Sequence, residues 1–372
     1  MHIETPNMID DQVLHLYATI GSFKDIGHKL HDRYAHVATH AEVSIPIAAP
    51  ADRETLALID LSHGNGPPAV PYRLYNRRIA SMPKLILVPL SGTSADRTTE
   101  QTAIALGRAF GAHLIGLHVQ HDVRNDIAAL ASADMGMSSG LDAIMSNMEA
   151  EAASREKNAE ASWRDACTKA GIALAEQPNG QTGATQEFAS ETGEEADWVA
   201  EYGRVSDLTL VGRVREADML NMELMEAALM DTGRPVLISG ENTSLVLDGT
   251  VAIAWKNTRE AASAVAAALP FLRLAKRVIV FTVGEEETPD DVDKSHLRLV
   301  HALRWHNANT GSQVLRHESR PAVRVLLDAL IREKCDLLVM GGYGHTRLRE
   351  AVFGGFTRAV LEDAPVAVLM AH

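Results

Sequence analysis

From Lys84 onward the chain alternates short aliphatic runs with longer segments of helical period. Continuous apolar runs of this kind read as buried parallel strands, and the segments between them as covering helices. Strands are predicted at 84–90 (KLILVPL), 112–119 (AHLIGLHV), weakly at 172–175, at 207–212 (DLTLVG) and at 234–239 (RPVLIS). The intervening helices fall at 95–110, 141–170, 191–203 and 219–231. The order then repeats with tighter spacing: strands at 250–255 (TVAIAW), 277–283, 312–317, 336–341 (DLLVMG) and 365–370, with helices at 259–269, 290–307, 321–334 and 354–363. Strands joined by helical crossovers run parallel, and such sheets bind ligands beyond their carboxyl edge.

The fold expected is therefore α/β: two tandem Rossmann-like domains, each a five-stranded parallel sheet flanked by helices. The domains are assigned to 82–240 and 249–372. The linker ENTSLVLDG is short, which favours two copies packed as a pseudo-twofold pair, imitating a homodimer within one chain, over two independent beads.

Residues 1–81 lack this alternation and are expected to be a weakly ordered extension. Seven of the sixteen histidines fall there (His2, His15, His28, His31, His36, His40, His63), followed by a turn-rich stretch. The pairs His28/His31 and His36/His40 have a helical spacing suited to metal, but no cysteine or fixed carboxylate accompanies them. The change of composition suggests a natural start at Met82, which mapping of the native N-terminus would test.

Composition narrows the functional classes. A net charge of −14 repels nucleic acid and anionic membranes, so a phosphate-bearing ligand must be small and held locally. No run reaches the roughly 20 apolar residues that span a bilayer, and no secretory signal opens the sequence, so a cytoplasmic location is expected. The two cysteines, Cys167 and Cys335, read as buried or incidental thiols.

The strand ending at Gly341 runs into GGYGHTRLREAVFGGFTRAVL, with Gly341, Gly344 and Gly354 spaced G-x-x-G-x9-G. Glycines let backbone N–H groups approach phosphate oxygens, and the helix opened by Gly354 and Gly355 offers unpaired N–H groups to an anion. A purely structural turn is the other reading of these glycines. His345, Arg347 and Arg349, between the glycines, are either phosphate-neutralising cations or a solvated loop.

This loop, after the fourth strand of such a unit, resembles the nucleotide-binding loop of the universal stress protein family, whose pattern continues G-[ST]. Gly355 stands where Ser or Thr is usual, and Thr357 matches a threonine of that helix turn. The resemblance covers both copies, about 84–372, and implies binding of ATP, with Mg²⁺ in some cases. It also implies that the backbone of Val283 reads an adenine edge. The aspartate that contacts the nucleoside in ATP-binding relatives is missing from both Leu90-Ser91-Gly92-Thr93 and Trp255-Lys256-Asn257-Thr258, where Lys256 instead offers positive charge. Relatives associate through the last strand of each unit, here 234–239 and 365–370, edges that a tandem chain can satisfy internally.

The first copy continues after DLTLVG without a second glycine, so phosphate binding is assigned to the second copy alone. Ser91-Gly92-Thr93-Ser94-Ala95-Asp96 departs from the S-G-G-x-D-S pyrophosphate loop, since Thr93 replaces a glycine and the aspartate falls one place late. Methionines crowding 135–148 and 219–230 read as soft core or as the interface between copies, with a promiscuous groove as the sharper alternative. The functional expectation is a stress-response protein that binds ATP or a related nucleotide in its second copy and acts through protein partners not identifiable from sequence. The alternatives are a nucleotide-free dimer-like scaffold and a slow ATPase. A homodimer beyond the internal pair stays open.

Overall fold

The computed structural model describes residues 82–122, 141–178, 183–213, 219–240, 245–284, 294–316, 320–342 and 355–372. All belong to the second of the chain's two compact units, Arg78–His372. The expectations for 1–81, including the histidine pairs, lie outside the described residues.

The first half of this unit contributes β1 (Leu85–Pro89), α1 (Asp96–Phe110), β2 (His113–Gln120), α2 (Leu141–Lys169), β3 (Ala173–Leu174) and β4 (Thr185–Thr192). It continues with α3 (Glu195–Val205), β5 (Leu208–Val211), α4 (Met219–Glu226), a π turn over Ala227–Asp231, and β6 (Val236–Ile238). The second half contributes β7 (Thr250–Ala254), α5 (Arg259–Leu274), β8 (Arg277–Gly284), α6 (Ser295–Leu303) and β9 (Thr310–Arg316). α7 (Ala322–Arg332), β10 (Leu337–Gly341), α8 (Gly355–Asp363) and β11 (Ala367–Ala371) complete it.

The strands form one sheet of eleven, ordered β3-β4-β2-β1-β5-β6-β11-β10-β7-β8-β9. The parallel α/β architecture is as the alternation predicts, and the two halves share one sheet because their last strands pair. β6 and β11 run antiparallel, with Val236 opposite Met370 and Ile238 opposite Val368, whereas the other neighbouring strands are parallel. An apolar edge of each half is thereby covered by the other, removing two templates for uncontrolled strand pairing.

Alternation along the strands sorts side chains to two faces. On one, Ile86, Leu114, Ile253, Val280 and Val339 pack with Leu106 and Phe110 of α1, Trp163 of α2 and Phe271 of α5. On the other, Leu87, Leu117, Phe281, Leu338 and Met370 meet Val199 of α3, Met225 and Leu229 of α4 and its π turn, Leu330 of α7 and Val360 of α8. Both core layers run through both halves. Phe110 and Phe271 meet edge to face, 5.3 Å between centroids, which ties α1 to α5. Met225 belongs to the core, while Met148 and Met230 keep substantial exposure.

The two halves share an anchoring device. Asp207, ahead of β5, accepts hydrogen bonds from the backbone N–H groups of Lys84 (2.8 Å) and Leu85 (3.1 Å) at the start of β1. Asp336, ahead of β10, accepts one from Thr250 (2.7 Å) at the start of β7. Each aspartate satisfies donors that lie beyond the ladder.

The third strand of the first half differs from expectation. The stretch near 172–175 forms only the two-residue β3 at the sheet's outer edge, and Thr185–Thr192 takes the place beside β2. Its sequence, TQEFASET, carries no apolar run. It is held by eight residue pairs with β2 and by Trp163, whose Nε1 donates to Gln186 Oε1 (3.0 Å) and to the Glu187 carbonyl (2.9 Å). That strand occupies ground given to the predicted helix at 191–203, so α3 begins at Glu195.

Both cysteines are buried free thiols, and burial pushes each up to about 12, which keeps them protonated. Among the described residues no helix is long and apolar enough to cross a membrane.

Candidate functional site

In each half the chain leaves the first strand toward one side of the sheet and returns to the fourth strand on the other. The crevice between those two carboxyl ends is where such sheets hold ligands. It lies between β7 and β10 in the second half and between β1 and β5 in the first.

In the second half, Gly341 closes β10 against the start of α5. A Cβ on Gly341 would lie 2.5 Å from the Ala261 nitrogen and 2.7 Å from the Glu260 carbonyl carbon, so any side chain here would push the helix off the strand. The turn after β7 is fixed from within. Thr258 is the N-cap of α5, its hydroxyl accepting from the Ala261 N–H (3.3 Å), and its own N–H donates to the Lys256 carbonyl (2.8 Å). Trp255 is anchored through Nε1, which donates to Ser295 Oγ at 2.8 Å. Lys256 and Asn257 are left exposed at the lip of the crevice.

Charge at the start of α5 is already balanced. The Glu260 carboxyl is held below the ordinary carboxylate range by a bond from its own backbone N–H. The Thr258 hydroxyl and the Arg259 and His372 charges add to this, against the opposing effect of burial. The neighbouring helix α8 carries no acidic residue in its first turn. Gly355 at its start is exposed, and a Cβ there would meet no atom of the described residues within 4 Å. Thr357 is buried against the core and anchors that first turn. Val283, at the end of β8, is partly buried against the α7 and α8 side of the core.

Of the residues singled out from sequence, Gly341, Gly355, Thr357, Lys256 and Val283 are ordered along the carboxyl edge of β7, β8 and β10 and the start of α8. Gly344, His345 and Gly354 lie outside the described residues. Sequence reasoning did not single out Gly342 beyond its place in the loop. Its N–H donates to the Ala371 carbonyl (2.8 Å), and a Cβ on it would lie 2.9 Å from Leu229 Cδ2 of the first half.

The first-half crevice is closed by its own residues. The Asp96 carboxylate accepts from the N–H groups of Ser91 (3.1 Å) and Gly92 (2.8 Å) and from the Ser91 hydroxyl (2.9 Å). The aspartate that fell one place late for a pyrophosphate loop thus turns back to fill the cradle itself. Gly92 has φ +75°, and the direction its side chain would take is occupied by the Arg155 carbonyl of α2. The residue after Gly212, Arg213, donates to the carbonyls of Leu361 (3.3 Å) and Val366 (2.7 Å) in the second half.

Among the described residues no group of three or more His, Cys, Asp or Glu side chains could hold a metal ion.

Comparison with solved structures gives the same architecture. A universal stress protein from Archaeoglobus fulgidus DSM 4304 is similar with a TM-score of 0.57 at 13% identity, covering 77% of this chain and 95% of that one. A functionally unknown protein from Pseudomonas aeruginosa PAO1 and a putative universal stress protein from Pseudomonas aeruginosa UCBPP-PA14 each give a TM-score of 0.50 at 13% identity, covering 78% of this chain and 94% of theirs. No curated protein sequence matches. At such identities these likenesses establish the fold. By sequence, residues 250–372 match the model of the universal stress protein family. The second half thus resembles a universal stress protein domain in both sequence and fold.

Proposed function

We propose that the second half binds ATP or a related nucleotide at the β7–β10 crevice, one molecule per chain, and that the protein acts in the cytoplasm in a stress response through protein partners. The observation that carries this reading is the contrast in charge at the two crevices. In the first half an internal carboxylate already takes the loop N–H groups, whereas in the second Lys256 is exposed and the start of α8 carries no acidic side chain. A phosphate chain fits there because helix N–H groups and a nearby cation both favour anions. By resemblance to the family, the backbone of Val283 at the end of β8 would read the base. The missing nucleoside aspartate leaves the phosphates to supply most of the affinity, which favours a di- or triphosphate over a nucleoside.

The test is equilibrium binding of ATP to the full chain and to Gly355→Asp. Among the described residues the substitution meets no atom within 4 Å, and a carboxylate at a helix start stabilises the helix, so the fold should be retained, which circular dichroism checks. It should weaken ATP binding at least tenfold by repelling phosphate. Equal binding by both proteins rejects α8 as the phosphate site.

A further inference from the structure

The residues that follow β5 and β10 differ between the two halves. Val211-Gly212-Arg213 stands where the second half has Met340-Gly341-Gly342. The arginine gives the first half a side chain that no phosphate loop needs at that place. It leaves its own crevice and reaches the turn between α8 and β11, where Nη1 donates to the Leu361 carbonyl and Nη2 to the Val366 carbonyl.

α8 ends in Leu361-Glu362-Asp363, and its two carboxylates are already paired, Glu362 with Arg358 (2.7 Å) and Asp363 with Arg324 of α7 (3.0 Å). What Arg213 answers is the backbone: a cation from outside the helix opposes the negative end of the dipole and satisfies a carbonyl left over at the helix end. The planar fork of arginine bridges two carbonyls at once, which an ammonium does less well. Leu229 of the π turn also reaches the second half, where a Cβ on Gly342, just after β10, would lie 2.9 Å from its Cδ2. Both contacts come from the first half: Leu229 meets the chain at the carboxyl end of β10, and Arg213 holds the end of α8 opposite the proposed phosphate site.

We infer that Arg213 is a positioning residue for the nucleotide site of the second half: by clamping the α8–β11 turn it fixes where the start of α8 points. This rests on the nucleotide reading above. It gives the first half, whose own crevice is filled, a role in the binding performed by the second.

The test compares the full chain with Arg213→Met and Arg213→Lys, following amide hydrogen exchange over 355–366 and equilibrium binding of ATP. Arg213→Met should speed exchange at 359–366 by about tenfold and weaken ATP binding by a similar factor, about 1.4 kcal/mol. Exchange in β7 and β8 should be unchanged. Arg213→Lys keeps the charge and should recover part of both effects. The inference is overturned if exchange rises throughout the unit, if it rises in α8 with ATP affinity unchanged, or if the lysine variant recovers nothing. Failure of the unaltered chain to bind ATP would reject the nucleotide reading itself. The exchange data would then still decide whether Arg213 clamps α8.

Discussion

The two halves of the sheet carry equivalent crevices whose lips differ in exposure. In the first, Asp96 is an internal anion on the Ser91 and Gly92 N–H groups, and α2 lies against the glycine. In the second, the anion at the start of α5 is likewise internal, Glu260, but the adjacent Lys256 turn and the start of α8 are exposed. A fold alone therefore does not provide a ligand site. What matters is whether the chain's own carboxylates have already taken the donors.

Four experiments sharpen or break this contrast, beginning with the largest effect. Alanine at Gly341 or Gly92 forces a methyl into backbone and should destabilise the chain by about 1–3 kcal/mol at either place. Gly92→Ala should suffer further from its left-handed backbone, by about 1 kcal/mol. Urea unfolding measures both. ATP binding by the folded protein should fall only for Gly341→Ala, and an equal fall for Gly92→Ala would end the distinction between the halves.

Asp96→Ala removes the acceptor of three hydrogen bonds and should lower stability by about 1–3 kcal/mol. ATP stoichiometry, followed by titration calorimetry, should stay at one per chain. A second equivalent bound would mean that the aspartate alone had kept the first half closed.

Glu100, buried between α1 and α2, has one carboxylate oxygen without a partner, and burial raises its pKa above 4.5, partly offset by a bond with Ser162. Its folded-state pKa thus exceeds the unfolded one, and the folded state holds a proton that the unfolded state has lost. Stability from this group falls as pH rises from near 4.5 through the raised value and stays low above it. Glu100→Gln should therefore raise stability at pH 7 by about 1 kcal/mol and flatten the pH profile across that window. A loss of stability at pH 7 would show that the charged form is accommodated.

The smallest effect is expected at Lys256, whose exposure lets water and salt screen its charge. Lys256→Met should weaken ATP binding about two- to fivefold at low salt, with the difference fading as salt rises. A salt-independent loss would point to a direct packing role instead.

Much of the fold was legible because buried parallel strands leave an apolar signature. KLILVPL, TVAIAW and DLLVMG declare themselves, and the helices between them follow from period and length. The strand Thr185–Thr192 did not, because its stability comes from the ladder with β2 and from Trp163 rather than from its own side chains. In the site, Gly341 was legible as a glycine with a purpose, although the purpose shown by packing is the close approach of α5. The filling of the first crevice by Asp96 was not, since a carboxylate that turns back on its own loop has the same sequence as one facing water.

By itself the sequence determined the alternation and the inequality of the two glycine loops, because hydrophobic period and glycine placement are local properties. The tertiary structure decided that the halves share one sheet through β6 and β11. It also decided that Asp96 closes one crevice and that Arg213 crosses to the end of α8. Those outcomes depend on which donors and acceptors meet across long chain separations, and no local pattern records such meetings.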